Sequence, residues 1–357
     1  MLVASVAVNS LLATPEWFGH AVWNGVQPED VIFPTFVTLT GCGLGFALHR
    51  GVRVWPLLRR AAILIAVGLL YNALALHRWD GDTWWLTGVL QLYAGVVLVL
   101  GLLHLITRPW VGWAVITVVL AAAQTALYAV WAFGCPDRAL TPECNPSGVI
   151  DTVVFGAAHV YHQGAAGHDP VGLVALLGAL ISASAGATAG HLLLGLRARN
   201  RPVGPVAAVL PLLAVASACV LLAQLCIWLP QLAGVPDPLV MKRLWTAPFG
   251  LRVAAGAILA VLVGHLVMDR ASVGPFVRVT AWPLVALGQN SLVVYFGSHA
   301  LTAVLDWPTP VGVTVRQQLA ESVAVGGHVQ LTWTIAAVLG WTALACVLRR
   351  AGIFLRP

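Results

Sequence analysis

Charge is what this chain has least of. Only 9% of its 357 residues are charged and 59% are hydrophobic, whereas soluble domains carry about 25% charged residues. That excludes a soluble enzyme and points to an integral membrane protein. Lysine is nearly absent, with Lys242 alone against 18 arginines. The sequence pI near 9.3 would suit a nucleic-acid partner, but the arginines sit in short loops between apolar runs, so no nucleic acid is expected. No G-x-G-x-x-G, Walker or G-x-S-x-G pattern occurs, which removes the simple readings as an ATP-driven transporter or a serine hydrolase. No H-x-x-x-H or H-E-x-x-H pattern occurs either, so no metal is expected. Internal repeats, low-complexity tails and a soluble domain are also missing.

What is present is a series of apolar runs, at about 1–13, 31–48, 60–76, 84–106, 110–133, 172–196, 204–230, 245–268, 280–304 and 329–348. A span needs roughly 20 residues. The expected fold is therefore all-α, one polytopic membrane bundle of about ten transmembrane helices over residues 1–357. The first run is the exception. Met1 to Thr14 make only about 21 Å of helix against a hydrocarbon core of about 30 Å. The run lacks the charged n-region and cleavage site of a signal peptide, so this span is expected to be short or truncated.

Arginine placement sets the orientation. The loops holding Arg50, Arg53, Arg59, Arg60, Arg108, Arg197, Arg199, Arg201, Arg270, Arg278, Arg349, Arg350 and Arg356 contain a single acid, Asp269. The alternate loops hold Arg78, Arg138, Lys242, Arg243, Arg316 and the other 12 acids. The arginine-rich set and the C-terminus are assigned to the cytoplasm, as in a multi-pass protein of the plasma (inner) membrane. The loops around His20 and at 134–171, 231–244 and 305–328 are assigned outside. Cys135 and Cys144 are the only cysteines in an outside loop, and an extracytoplasmic disulfide is expected between them; two free thiols are the alternative.

Polar residues at the edge of such a bundle cost free energy to bury and mark candidate sites. The first cluster is Asn9, His20, Trp23 and Asn24. If 15–25 is helix or turn, His20, Trp23 and Asn24 share a face. Asn9, eleven residues upstream, joins that face if the segment stays helical. Histidine suits proton transfer near neutral pH. The ordinary alternative is an interfacial His–Trp pair of the membrane belt. Asp30, with Pro34 four residues on, reads as a helix N-cap with proline in the first turn. The long loop offers Asp151, His159, Tyr161, His162, His168 and Asp169, more in keeping with glycan binding or substrate gating than with a metal. Arg252, His265, Gln289, Asn290 and His299 lie in or near spans, where they line a tunnel or pair with one another. By composition alone, a transporter or flippase for a small molecule or lipid-linked glycan fits equally.

The motif order resembles the heparan-alpha-glucosaminide N-acetyltransferase family of transmembrane acyltransferases. The family's V-N, then H-A-x-W-N-G-x-x-x-x-D-x-x-F-P-x-F, is similar to Asn9, His20-Ala21-Val22-Trp23-Asn24-Gly25, Asp30 and Phe33-Pro34-Thr35-Phe36. G-V-L-Q is found at Gly88 to Gln91. The Cys…Cys-Asn pair, I-D and H-x-Y resemble Cys135, Cys144-Asn145, Ile150-Asp151 and His159-Val160-Tyr161. D-P-E-G corresponds to Asp169-Pro170-Val171-Gly172, with valine in place of the acid. N-K-x-L-W-[ST]-x-x-F resembles Met241 to Phe249, with methionine for the asparagine, and G-x-N-S-L-x-x-Y resembles Gly288 to Tyr295. The arginine that often follows G-V-L-Q is Leu92 here, and the opening S-L-D-x-x-R-G is absent.

The resemblance implies acyl transfer across the membrane, from acetyl-CoA as co-substrate on the cytoplasmic side to an amine or hydroxyl of an extracytoplasmic cell-envelope glycan or amino sugar. His20 would be the catalytic base or a transient acetyl carrier. Asn9 would hold the imidazole or the thioester oxygen. Trp23, Asn24, Asp151, His159, Asp169, Lys242, Trp245 and Asn290 would contact substrate. Arg59, Arg60, Arg197, Arg199 and Arg270 would meet the CoA phosphates. The lipid bilayer is the expected environment, with a homodimer left open; the arginine-, alanine- and glycine-rich composition suggests a bacterial source. The departures also admit an inactive relative.

Overall fold

A computed structural model describes residues 1–199, 205–236, 239–269, 274–307, 309 and 312–354. Arg201, Arg270 and Arg356 lie outside the described residues, as do the side chains of Arg199 and Pro205. Each apolar run contains helix, although residues 10–13 and 84–88 do not join theirs. The helices are α1 (Leu2–Asn9), α2 (Ile32–Leu48), α3 (Val54–Leu76), α4 (Val89–Ile106), α5 (Trp110–Phe133), α6 (Pro146–Phe155), α7 (Leu173–Arg199), α8 (Val209–Leu232), α9 (Ala247–Met268), α10 (Pro275–Gln289), α11 (Ser291–Leu305), α12 (Val315–Ser322) and α13 (Val329–Arg350). Among the described residues eight helices are long and apolar enough to cross a membrane, or nine if α10 and α11 form one broken span. The protein is an all-α, multi-pass integral membrane protein. By internal contacts it divides into two compact units.

The larger unit is His20–Leu69 with Asp80–Ala271. Its centre is α7, which packs against α2, α4, α5 and α9. Lipid tails are as apolar as leucine, so membrane helices associate by close packing rather than by hydrophobic exclusion. The Ser-Ala-Gly-rich middle of α7 permits that approach. A Cβ on Gly186 would lie 1.9 Å from the Thr38 carbonyl oxygen of α2, and one on Gly41 would lie 1.8 Å from that of Ala183. Only glycine fits at either position. Hydroxyls on α7 add interhelical bonds: Ser182 Oγ donates to the Gly250 carbonyl at 3.2 Å, and Thr117 of α5 to Ser184 Oγ at 2.9 Å. His104 on α4 gives its Nδ1–H to the Leu100 carbonyl at 2.7 Å, so its Nε2 accepts from His191 Nε2 of α7 at 3.0 Å.

At one end of this unit, loops distant in sequence meet. Trp23 Nε1 donates to the Leu140 carbonyl (2.9 Å), Arg243 Nε donates to the Ala21 carbonyl (2.8 Å), and Gly25 pairs as an isolated bridge with Met241. At the other end Asp269 takes both Arg197 and His265. The loops that charge bias puts on one side are thus joined to one another.

The smaller unit is Met1–Gly19, Leu70–Trp79 and Ser272–Pro357; α3 therefore contributes to both. Here α1 packs on α11 and α13, and α10 on α13. The eight residues of α1 make only about 12 Å of helix. The run expected as one span at 280–304 is two helices bent by 72°. The break falls at Asn290, in a Gly-Gln-Asn-Ser stretch where small and amide side chains compete for backbone hydrogen bonds.

Candidate functional site

The site at the loop-rich end of the larger unit is built around His20. Residues 15–25 are not helical, so the shared helical face expected for His20, Trp23 and Asn24 does not form. The Asn24-Gly25 dipeptide turns the chain, with Gly25 at φ 89°. Pro28 then opens a short 3-10 turn, Pro28–Val31. This fold-back brings His20 to Asp30, and Nδ1 lies 2.7 Å from Oδ1. The Asp30 side chain is 0% exposed, and its Oδ2 accepts from the backbone N–H of Ala21 (3.2 Å) and Gln27 (2.9 Å). Asp30 is not the N-cap expected of it: Gln27 caps the turn and Val31 precedes α2, while Asp30, at the third position of the turn, accepts the Gln27 backbone N–H and with the same carboxylate holds the histidine. An ionised carboxylate only accepts, so Nδ1 carries the proton and Nε2 is the free position. Nε2 lies 3.4 Å from Glu29 Oε1, and the His20 side chain is 43% exposed.

Lys242 Nζ stands 3.9 Å from Asp30 Oδ1. Burial pushes this ammonium down to about 8, against the attraction of Asp30. Arg243 grips the Ala21 carbonyl next to the histidine. The Met241–Thr246 loop carrying both cations is held from beneath. Trp245 takes the left-handed conformation at φ 45° and is 1% exposed. Its carbonyl accepts from Gln124 Nε2 (3.1 Å), its indole donates to Ser182 Oγ (3.2 Å), and its ring meets Phe33 edge-on at 5.5 Å. Trp245 is thus a buried support for the site and presents no surface to a substrate.

The acids of the long loop are supports too. Asp151 accepts from Ser147 Oγ (2.7 Å) and the Leu173 backbone N–H (2.7 Å); burial pushes its carboxyl up to about 6. Asp169 accepts from Thr87 Oγ1 and from the backbone N–H of Tyr161 and Val171, both at 2.9 Å. His159 gives Nδ1–H to the Trp84 carbonyl at 2.8 Å. Cys135 and Cys144 form a disulfide with Cα atoms 5.8 Å apart. Trp23 packs edge-on to His168, 5.0 Å between centroids. Burial holds that imidazole below its usual range, and its Nε2 is buried without a partner. Asn24 is exposed.

Asn9 and Asn290 belong to the smaller unit and are described with it. Asn9 ends α1, so helical periodicity does not carry on from it to His20. Its Nδ2 donates to the Ser298 carbonyl (3.2 Å) and to Thr302 Oγ1 (2.9 Å). Both amide hydrogens are therefore engaged, and what Asn9 presents is the acceptor Oδ1. Arg316, paired with Asp306 at 2.7 Å, reaches the Asn9 and Leu11 carbonyls at the end of α1. Asn290 is fully buried at the bend, with Nδ2 turned to the Ala286 carbonyl at 3.5 Å.

The expected phosphate partners differ among themselves. Arg59 is exposed, Arg60 has a buried Nε without a partner, and Arg197 is already neutralised by Asp269. Arg270 is outside the described residues. The Arg60 Nε, buried without a hydrogen-bond partner, fits an anionic group such as a CoA phosphate. Glu29 and the pairing of Asp30 with His20 escape a reading based on helical spacing; the Asn-Gly turn signal followed by Pro28 is the feature that announces a fold-back.

Comparison with known proteins agrees with the motif order. Residues 9–140 match the family profile described as "Heparan-alpha-glucosaminide N-acetyltransferase, catalytic". Over 99% of its length the chain is 24% identical to heparan-alpha-glucosaminide N-acetyltransferase of Homo sapiens, and 23% identical to that of Mus musculus. It spans 58% of the length of each of these relatives.

Proposed function

We propose that this chain is a transmembrane acyltransferase that carries an acetyl group from acetyl-CoA on its arginine-rich side to an amine or hydroxyl of a sugar at its His20 end. The His20 end faces out from the plasma membrane, and the C-terminus lies in the cytoplasm. The observation that carries the reading is the His20–Asp30 pair. It leaves one nitrogen of a half-exposed imidazole open, at a junction of three loops, in a bundle with the motif order of an acetyltransferase family.

The chemistry follows from the pair. Asp30 holds the Nδ1–H tautomer, so Nε2 keeps its lone pair. It acts as general base toward the acceptor or receives the acetyl group itself. Asp30 then stabilises the positive charge that develops on the ring, and Lys242 limits the excess negative charge at the buried carboxylate. Acetyl-CoA supplies the activated acyl group as a thioester. Arg60 offers its phosphates an unpaired cation on the other side of the bundle. Trp23 and Asn24 flank the mouth, where a sugar would rest.

Purified protein in detergent, given radiolabelled acetyl-CoA and a soluble amino sugar, tests the reading. Label should pass to the sugar, and His20→Ala should abolish transfer. Transfer that survives His20→Ala would overturn the assignment.

A further inference from the structure

Between α5, α7 and α8 the larger unit holds a cavity of about 590 Å³. Its walls are almost wholly apolar. Two threonine hydroxyls line it, and both are already bonded inside the protein. Thr117 Oγ1 is 2.9 Å from the Trp113 carbonyl and 2.9 Å from Ser184 Oγ, and Thr188 Oγ1 donates to the Ser184 carbonyl at 2.9 Å. Cys219 adds a thiol, which packs as a small hydrophobe. A cavity of this kind holds no water, and left empty it deprives its lining of dispersion contacts.

Alanine leaves the space. Ala214 and Ala218, one turn apart on α8, line the cavity and are exposed, whereas small residues on α7 are covered by the backbone of α2. The cavity opens on the lipid-facing surface, since its lining residues Trp110 and Val118 are 42% and 49% exposed. Along α8 the lining runs from Pro211 to Leu222. That is about 16 Å of helix, roughly half of a hydrocarbon core of about 30 Å. The groove therefore has the depth of one leaflet. A helix about 10 Å across and of this length needs roughly 1,250 Å³, twice the space available, so a transmembrane helix of another protein does not fit and a single hydrocarbon chain does.

The groove starts at the arginine-rich end. Trp110 lies there, the usual depth of an interfacial tryptophan. Arg108, two residues before it, is exposed and makes no ion pair among the described residues. Arg197, which follows the lining residue Leu196, is matched by Asp269. The charge at the mouth that lacks a counterion is thus that of Arg108.

We propose that this groove binds one anionic phospholipid from the leaflet on the arginine-rich side, with an acyl chain in the cavity and the headgroup phosphate on Arg108. The chain supplies the packing that α8 lacks against α5 and α7. This site is separate from the His20 site and stands whether or not the acyl-transfer reading holds.

The test uses the full chain, purified in detergent and stripped of lipid. Dioleoyl phosphatidylglycerol added in mixed micelles should raise the melting temperature and remain bound in native mass spectrometry. Glycerol phosphate, which has the anionic headgroup without chains, should do neither. Ala218→Phe fills the groove and should lose the retained lipid and the thermal shift together, and Ala214→Leu should weaken both. Arg108→Gln should keep the chain but lower the preference for phosphatidylglycerol over dioleoyl phosphatidylcholine by about fivefold, the worth of one basic residue at an anionic surface. Wild type that neither retains the lipid nor gains stability from it would overturn the proposal. So would an equal shift from glycerol phosphate, undiminished retention by a folded Ala218→Phe, or an unchanged preference in Arg108→Gln. The comparison of phosphatidylglycerol with glycerol phosphate needs wild type alone, so it decides the matter even if a filled groove prevents folding.

Discussion

The imidazole of His20 and the carboxylate of Asp30 lie 2.7 Å apart, Nδ1 to Oδ1, with ten positions of sequence folded back between them. The carboxylate has no exposed surface and the ring is 43% exposed at its side chain. A buried acid thus fixes the tautomer and orientation of an accessible base.

Asp30→Asn should keep the fold of the turn, because the Oδ atom that remains still accepts a backbone N–H. It should lower kcat by roughly 10²- to 10⁴-fold, since an amide can favour the wrong tautomer and cannot balance an imidazolium. Steady-state kinetics with acetyl-CoA and an amino sugar would show the loss in kcat with little change in either KM.

Lys242 gives the pH dependence an alkaline limb. Burial lowers its pKa to about 8 from 10.5. In the folded protein its charge is present below pH 8 and is lost above it, while the unfolded chain keeps the charge to about 10.5. Between these values the unfolded state binds more protons, so this residue's contribution to stability rises with pH. Activity should move the other way as Asp30 loses its cation. Rate profiles should fall above about pH 8, and Lys242→Arg should displace that limb upward, because arginine stays charged.

Arg60 and Arg197 should differ in their effect on the acyl donor. Arg60→Gln should raise the KM for acetyl-CoA by about tenfold and leave that for the acceptor unchanged, since its Nε has no partner within the protein. Arg197→Gln removes a cation already matched by Asp269 and should shift the same constant much less.

Gly186 should be intolerant of any side chain. A Cβ there would lie within 1.9 Å of the Thr38 carbonyl, whereas one on Gly43 meets nothing within 4 Å. Gly186→Leu should destabilise the larger unit by about 1–3 kcal/mol or more, and Gly43→Ala should be close to neutral. Thermal unfolding in detergent separates the two.

Much of the fold is legible in the sequence because a bilayer admits few solutions. With no water in the hydrocarbon, each apolar run must satisfy its own backbone as a helix, and every run contains helix, eight or nine of them long enough to span among the described residues. Three of the loops that arginine bias groups together, around His20 and at 134–171 and 231–244, meet at one end of the larger unit. The site is less legible. Helical spacing groups His20 with Trp23 and Asn24, but Asn24-Gly25 and Pro28 break the helix and substitute Asp30 as partner. Asp151, Asp169 and Trp245 stand in recognisable motifs, yet their polar atoms are taken up inside the protein.

The sequence by itself determined the membrane-spanning class, the place of most apolar helices, and the motif order that carries the family resemblance; of the ten spans expected, eight or nine qualify among the described residues. These depend on local composition and on a solvent that forbids unpaired backbone. The tertiary structure alone decided the bend at Asn290, the use of both Asn9 amide hydrogens, and the meeting of Asp30 and Glu29 around one imidazole. Each of these depends on which groups satisfy one another across a turn or between helices, and hydrogen-bond partners brought together by folding leave no periodic trace in the chain.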